Sequence, residues 1–582
     1  MNSAGYAWLQ ESLQLSAFPL RRPAKVQPVT RIEQIGETLA VPPNIAPAPD
    51  DLLGHLLFAL KHEGVNLAIL AQALPQIPAA SLEAELERAP NGIYIRKACF
   101  LREAFIGEEL RQHSPVRGAF VPLFDPDQYV TMPGERNSRW RVEFNGIGTI
   151  AYCATAERTP EIVALLAHDI LARAQDFIQS LPSGMMDRAI NWAYLHETQD
   201  SFAIEKESPS EDKAHKFIQL LRQAHERIPL SEDYLVHLQN ATISNPFDMA
   251  GAFRHEQNHL ASGLQGAAGV TYVPPGPDLC RELMVQLMAL GNDAPARIDP
   301  LIAAGIISFG FVFLHPFMDG NGRLSRFLIH QTLCRAGALE NGLLLPVSVA
   351  MKREERLYLE TLQQFSRPAR EFWDVRWIDQ GQYSFDFTGD PAIYRFWDAT
   401  PGVRFTLEMA KRALEVELRE ETIFLENYDK VVRTVNETYD VRGSDLANLV
   451  MMCLTNNGTV SKNRRRQYQY SVQAEVFDYI EQVTTAHVIG LIDCPYDLVI
   501  VLKVYRLLTK LNFKRPLRHF QGEPDPGRGI PEAIDRGITG KVKRVLTLID
   551  PPDVPKLSRW TGELLQRLQI QTFLALHGDR DW

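Results

Sequence analysis

Apolar residues recur at three- and four-residue spacing through much of the chain. The first such run is DDLLGHLLFALKHEGVNLAILAQAL, Asp50 to Leu74, which places one apolar stripe on helix. IYIRKACFLREAFIGEEL (Ile93 to Leu110) continues the pattern. TPEIVALLAHDILARAQDFIQSL predicts one amphipathic helix, with Thr159 as N-cap and Pro160 in its first turn. The same spacing returns at LCRELMVQLMAL, RLSRFLIHQTLCRAG and REERLYLETLQQF. LIAAGIISFGFVFL (Leu301 to Leu314) carries no charge, but it falls short of the roughly 20 residues of a membrane span and contains Gly305, Ser308 and Gly310. It predicts a buried core helix.

The pattern breaks in three places. Prolines crowd residues 1–50, which predicts an extended arm. Residues 114–158, rich in Pro, Gly and aromatics, predict loop with short strands. FRHEQNHLASGLQGAAGVTYVPPGP is Gly-rich and ends in a short β-like run, which predicts a hairpin or flap. Beyond residue 370 the chain again predicts mostly helix. There SDLANLVMMCLTNNGTVSKNRRRQYQYSVQAEVFDYI has the rhythm of a helix-turn-helix or winged helix near 442–480. The expected organisation is an arm (1–50), an N-terminal helical domain (51–180), a central domain (181–370) and a C-terminal helical region (371–582). The fold class is mainly α.

With 582 residues the chain exceeds one core. A net charge of −10 argues against general affinity for nucleic acid. The six cysteines stand singly, so neither a zinc ribbon nor a disulfide framework is signalled, and a reducing, cytoplasmic setting fits. MNSAGYAWLQ has no basic segment followed by an apolar one, so neither a signal peptide nor a membrane partner is expected.

The densest chemistry is HPFMDGNGRLSR, His315 to Arg326. A Gly-Asn-Gly run opening a helix leaves backbone N–H groups unpaired and lets an anion approach closely. Arg323 and Arg326 lie three apart on one helical face and suit further phosphate oxygens. Asp319 can hold Mg2+ beside phosphate, and His315 can take a proton near neutral pH. Together they form a toolkit for attack on phosphorus.

The stretch resembles the Fic-family motif HPFx[D/E]GNGRxxR. The resemblance, over roughly residues 180–370, implies a helical-bundle core with a β-hairpin flap. It also implies a protein adenylyltransferase that moves AMP from Mg·ATP to a Ser, Thr or Tyr hydroxyl. His315 would be the base, with Phe317 anchoring the loop. Asp319 would hold Mg2+, while Gly320, Asn321 and Gly322 cradle phosphates. Arg323 would meet the β-phosphate and Arg326 the γ-phosphate. Gly322 argues against the kinase-like branch, which carries lysine there and is the alternative function. GAFR (Gly251 to Arg254) resembles the start of the family's flap, and a target protein would pair along 254–275 as an added strand.

SFAIEKE resembles the inhibitory motif [S/T]xxxE[G/N] through Ser201 and Glu205. By resemblance Glu205 would hold Arg326 and suppress transfer, an internally inhibited class II arrangement. In some such enzymes the same glutamate aligns a water that removes AMP. Lys206 departs from the Gly or Asn that suits a left-handed helix end, so the helix is expected to end later or differently here.

Two further features compete for a role. HEQNH (His255 to His259) satisfies the zinc-peptidase pattern HExxH, with Glu282 as a conceivable third ligand, but its Gly-rich surroundings argue against the helix such a site needs. SKNRRRQ (Ser461 to Gln467) raises DNA binding, although protein contacts or a homodimer are the favoured use of that region given the acidic net charge.

Overall fold

The computed structural model describes residues 2–489 apart from 114, 244–248, 340–341 and 380–381. The chain divides into two compact units, Met1–Leu425 and Glu426–Trp582. The expected boundaries near 180 and 370 do not separate units, because one apolar core runs from Val130 to Leu418. Strand Phe396–Asp398 also reaches back to pair in parallel with Tyr152–Thr155, in register Phe396 with Cys153.

Six helices frame the central motif: α1 (Ser183–Ile204), α2 (Glu232–Thr242), α3 (Pro277–Asp293), α4 (Pro300–Leu314), α5 (Asn321–Arg335) and α6 (Val347–Arg353). The uncharged run forms α4, capped by Asp299, whose Oδ1 accepts from the amides of Leu301 and Ile302 at 2.9 and 3.2 Å. Every residue of α4 except Pro300 and Val312 is buried, against α3, α5 and helix Thr400–Arg412. Burial of each Ile, Leu or Phe there contributes roughly 1.5–3 kcal/mol, so α4 is a rigid post that ends at His315. The flap is a two-stranded antiparallel ribbon of β1 (Leu260–Ala261) and β2 (Val270–Tyr272).

The amino-terminal 50 residues are not simply an extended arm. Gly5–Ser12 is helical, and strands Ala24–Val26, Thr38–Val41 and Glu33–Ile35 form a sheet in that spatial order. Tyr6 and Leu9 are buried in a core shared with Leu56 and Leu60. The prolines begin at Pro19, downstream of this helix, so they do not oppose it. The single helix expected from Thr159 is two, Pro160–Leu166 and Ile170–Ser180, parted by Asp169 at φ 45°. The mostly helical expectation after residue 370 missed a β-hairpin, Trp373–Asp379 with Gln382–Phe387. Its alternation of Trp373, Val375 and Trp377 is a strand period that helical neighbours mask.

In the second unit, helices Gly443–Thr455, Lys462–Tyr468 and Ala474–Ile489 follow one another. Asn457 and Gly458 take positive φ in the intervening turn. No strand occurs among the described residues of this unit. Arg465 is tied to Asp478 at 2.8 Å and to Glu481 at 2.6 Å, while Arg464 and Arg466 face solvent. The remainder of the expected C-terminal helical region, 490–582, lies outside the described residues.

Candidate active site

α4 stops at His315, which takes φ 52° as its C-cap. The ring is buried, and Nδ1 lies 3.1 Å from the carbonyl oxygen of Val312. That carbonyl only accepts, so Nδ1 carries the proton and Nε2 is left as an acceptor. Burial pushes the ring pKa down to about 4, so the imidazole is neutral at pH 7.

The loop that follows is held from both ends. Phe317 is buried edge-to-face against Phe253, with ring centroids 5.5 Å apart. Asn321 spends its side chain on the same residue: Oδ1 accepts from the Phe317 amide at 3.0 Å and Nδ2 donates to its carbonyl at 2.8 Å. It is therefore a clamp on the loop, with one Nδ2 donor used on Phe317 and the second not committed to it. Gly320, at φ 86°, precedes α5 in the left-handed conformation that glycine adopts freely. Asp319 Oδ1 accepts from the Gly320 amide at 2.7 Å, and its half-exposed carboxylate also meets Arg323 Nη2 at 3.3 Å.

Both arginines project from the first turns of α5, and each is 1% exposed. Arg326 donates from Nε to Ser201 Oγ at 3.0 Å, and from Nη2 to the Ser201 carbonyl at 2.7 Å and to Glu205 Oε1 at 3.0 Å. Burial alone would lower the Arg326 pKa, yet it stands raised because the Glu205 carboxylate lies beside it. Arg323 donates from Nη1 to Glu207 Oε2 at 2.9 Å and to the Thr242 carbonyl at 3.0 Å, and it lies 5.0 Å over the Phe202 ring. Its buried Nε has no hydrogen-bond partner among the described residues.

The Glu205 carboxylate fills the space over Gly322: a Cβ there would collide with Oε1. An α-helical amino terminus, two buried guanidiniums and a glycine-lined hollow make a donor set fitted to phosphate. The half-exposed Asp319 carboxylate is chemically suited to Mg2+ beside it. Here a carboxylate lies in that hollow.

The end of α1 explains how Glu205 arrives. The amide of Lys206 donates to Ala203 O at 3.0 Å and that of Glu207 to Phe202 O at 3.1 Å. These two bonds form a Schellman turn, with Lys206 at the left-handed position, φ 59°. The helix therefore ends where a glycine would end it, contrary to the later end expected from Lys206, and a lysine bears the strain. The deeper part of α1 is tied down by Glu197. Its buried carboxylate lies 2.7 Å from His330 Nε2 on α5 and accepts from the amide and hydroxyl of Ser348 on α6 at 2.7 and 2.5 Å.

Residues outside the motif position it. Arg254 is buried, donating from Nε to the His315 carbonyl and from its amide to the Pro316 carbonyl, both at 2.8 Å. Asn258 donates to the carbonyls of Phe317 and Met318 at 3.0 and 3.1 Å. Asn258 lies inside HEQNH, so that pentapeptide contributes a loop staple. The segment is not helical, and its histidines do not share a helix face. His255 is exposed, whereas His259 packs on Tyr383 and Phe385. Glu282 is engaged by Arg395 through both oxygens at 2.7 and 2.8 Å.

Residues 229–333 match the family model described as Fic/DOC family. A protein adenylyltransferase Fic of Nematostella vectensis is 27% identical over 200 residues, 29% of this chain and 44% of that protein. The fic-1 protein adenylyltransferase of Caenorhabditis elegans is 27% identical over 129 residues, 22% of this chain and 23% of that protein. The chain thus spans less than half the length of these curated relatives. A solved structure of a Fic family protein from Desulfovibrio desulfuricans G20 is 18% identical, covers 53% of this chain and 90% of its own, and superposes with a TM-score of 0.34.

Proposed function

The chain carries a Fic/DOC-family domain across residues 229–333, and from that premise we propose that it is a protein adenylyltransferase held in check by its own Glu205. The observation that carries the reading is the gathering of a neutral, buried His315, a half-exposed Asp319 and two buried arginines at the opening of one helix. His315 Nε2 takes the proton of a protein hydroxyl as the hydroxyl oxygen bonds to the α-phosphorus of ATP and pyrophosphate leaves. Asp319 would hold Mg2+, which would supply positive charge to offset that of the phosphates. First-turn amides of α5, with Arg323 and Arg326, hold the anion. Arg254 and Asn258 keep the loop and the flap in one frame, and the flap presents the target backbone. In this resting arrangement Glu205 takes the donor Arg326 would give to phosphate and adds a negative charge where phosphate must lie. Among the described residues no helix is long and apolar enough to cross a membrane.

The test uses ATP labelled at the α-phosphate. Glu205→Gly is expected to place label on protein, the enzyme itself included, at least tenfold above wild type, and adding His315→Ala is expected to abolish it. Label arriving only from the γ-position would replace this reading with phosphate transfer. No label from either position, with no Mg2+-dependent ATP binding, would remove the enzyme reading.

A further inference from the structure

We propose that Glu207 is a second inhibitory carboxylate, which occupies Arg323 as Glu205 occupies Arg326. The inference rests on the transferase reading for its consequence, but its geometry is independent of it. The Schellman turn at the end of α1 reverses the chain within three residues. Glu205 and Glu207, on either side of the left-handed Lys206, thereby both face α5. Lys206 is itself exposed. One turn thus delivers two carboxylates to two buried cations three residues apart on α5.

The Glu207 pair has a setting comparable to that of Glu205, a 1% exposed guanidinium against a partly exposed carboxylate. Arg323 is 1% exposed and has three acceptors, Glu207, Asp319 and the Thr242 carbonyl, and only the first comes from the inhibitory segment. A buried guanidinium needs an anion close by. In the resting chain Glu207 supplies much of that need, with Asp319 4 residues away on the other flank. An arriving phosphate must displace Glu207 before it can take its place, and until then a second negative charge repels it. Glu207 is also partly exposed, its side chain 36% accessible, so it can leave for water without unfolding α1.

The alternative is that Glu207 holds Arg323 in a productive pose and assists the site. The two roles predict opposite signs. Full-length wild type, Glu207→Gln, Glu205→Gly and the double variant are compared by labelling from α-phosphate-labelled ATP and by calorimetric binding of Mg·ATP. Expected are a three- to tenfold tighter binding for Glu207→Gln than wild type, and labelling by the double variant at least threefold above Glu205→Gly. Equal or lower labelling by the double variant, with unchanged binding in Glu207→Gln, overturns the proposal. Failure of Glu205→Gly to label defeats the transferase reading instead, and the binding comparison then decides Glu207 by itself. Glu207→Asp, which keeps the charge but shortens the reach, is expected to behave between wild type and Glu207→Gln. Thermal melting of every variant accompanies these measurements, and a Glu207→Gln that binds no tighter while melting as wild type counts against the proposal.

Discussion

Lys206 holds a left-handed backbone that glycine adopts without strain, and the consequence is measurable. A non-glycine residue in the left-handed region costs about 1 kcal/mol, and here that strain sits in the turn that carries Glu205 and Glu207. Lys206→Gly removes it. Residual labelling by the otherwise wild-type chain is expected to fall about three- to fivefold, since 1 kcal/mol corresponds to about a factor of 5 in an equilibrium. Labelling that rises would show that the lysine charge, not the backbone, matters at this position. His315 shows the opposite use of the same backbone region: its φ of 52° ends α4 and turns the chain into the loop.

At the scale of elements, α1 is attached to α5 by two rungs. Arg326 meets Ser201 and Glu205 at one, and four residues along each helix His330 meets Glu197 at the other. Removing Glu197 would leave the buried Ser348 amide and hydroxyl without their acceptor, at about 1–3 kcal/mol for each unsatisfied group. Glu197→Ala is therefore expected to lower the melting temperature and to raise labelling, although Glu205 and Arg326 are untouched. A lowered melting temperature with unchanged labelling would confine Glu197 to stability. Little of this rung was legible in the sequence. The motif His315 to Arg326 is contiguous, so its chemistry can be read from a string, and Ser201 and Glu205 sit at a fixed spacing. Glu197, His330 and Ser348 are joined across 133 and 151 residues of chain, and Arg323 reaches Thr242 across 81. Such contacts follow from packing, which periodicity does not encode. The same limit hid Asn258, a staple inside a pentapeptide that reads as a metal pattern, and the hairpin at 373–387, whose strand alternation follows a long helical stretch.

At the scale of the larger unit, the amino-terminal residues are sealed onto the fold through Glu63. Its Oε1 accepts from the Tyr6 amide at 2.9 Å, and burial pushes its pKa up to about 8 despite bonds from the Tyr6 and Ala24 backbone. The sign follows directly. Between pH 4.5 and about 8 the folded chain keeps a proton that the unfolded chain gives up, so this group makes the unit less stable as pH rises, by up to about 1.4 kcal/mol per pH unit. Glu63→Gln is expected to flatten that part of the pH dependence in urea unfolding between pH 5 and 8, with the two proteins differing most at pH 8. Identical slopes would show that Glu63 is ionised in the folded chain.

Arg254 gives the flap and the base a common origin, because one guanidinium and its own amide bind the backbone of His315 and Pro316. A strand laid along the flap is then measured against a fixed mark. Its residues advance about 3.4 Å each and alternate faces, so the neighbours of the presented hydroxyl point away and the next one on the same face stands about 7 Å off. Two adjacent serines in a target would not be interchangeable. The molecule would choose between them by counting along the backbone rather than by recognising what surrounds them.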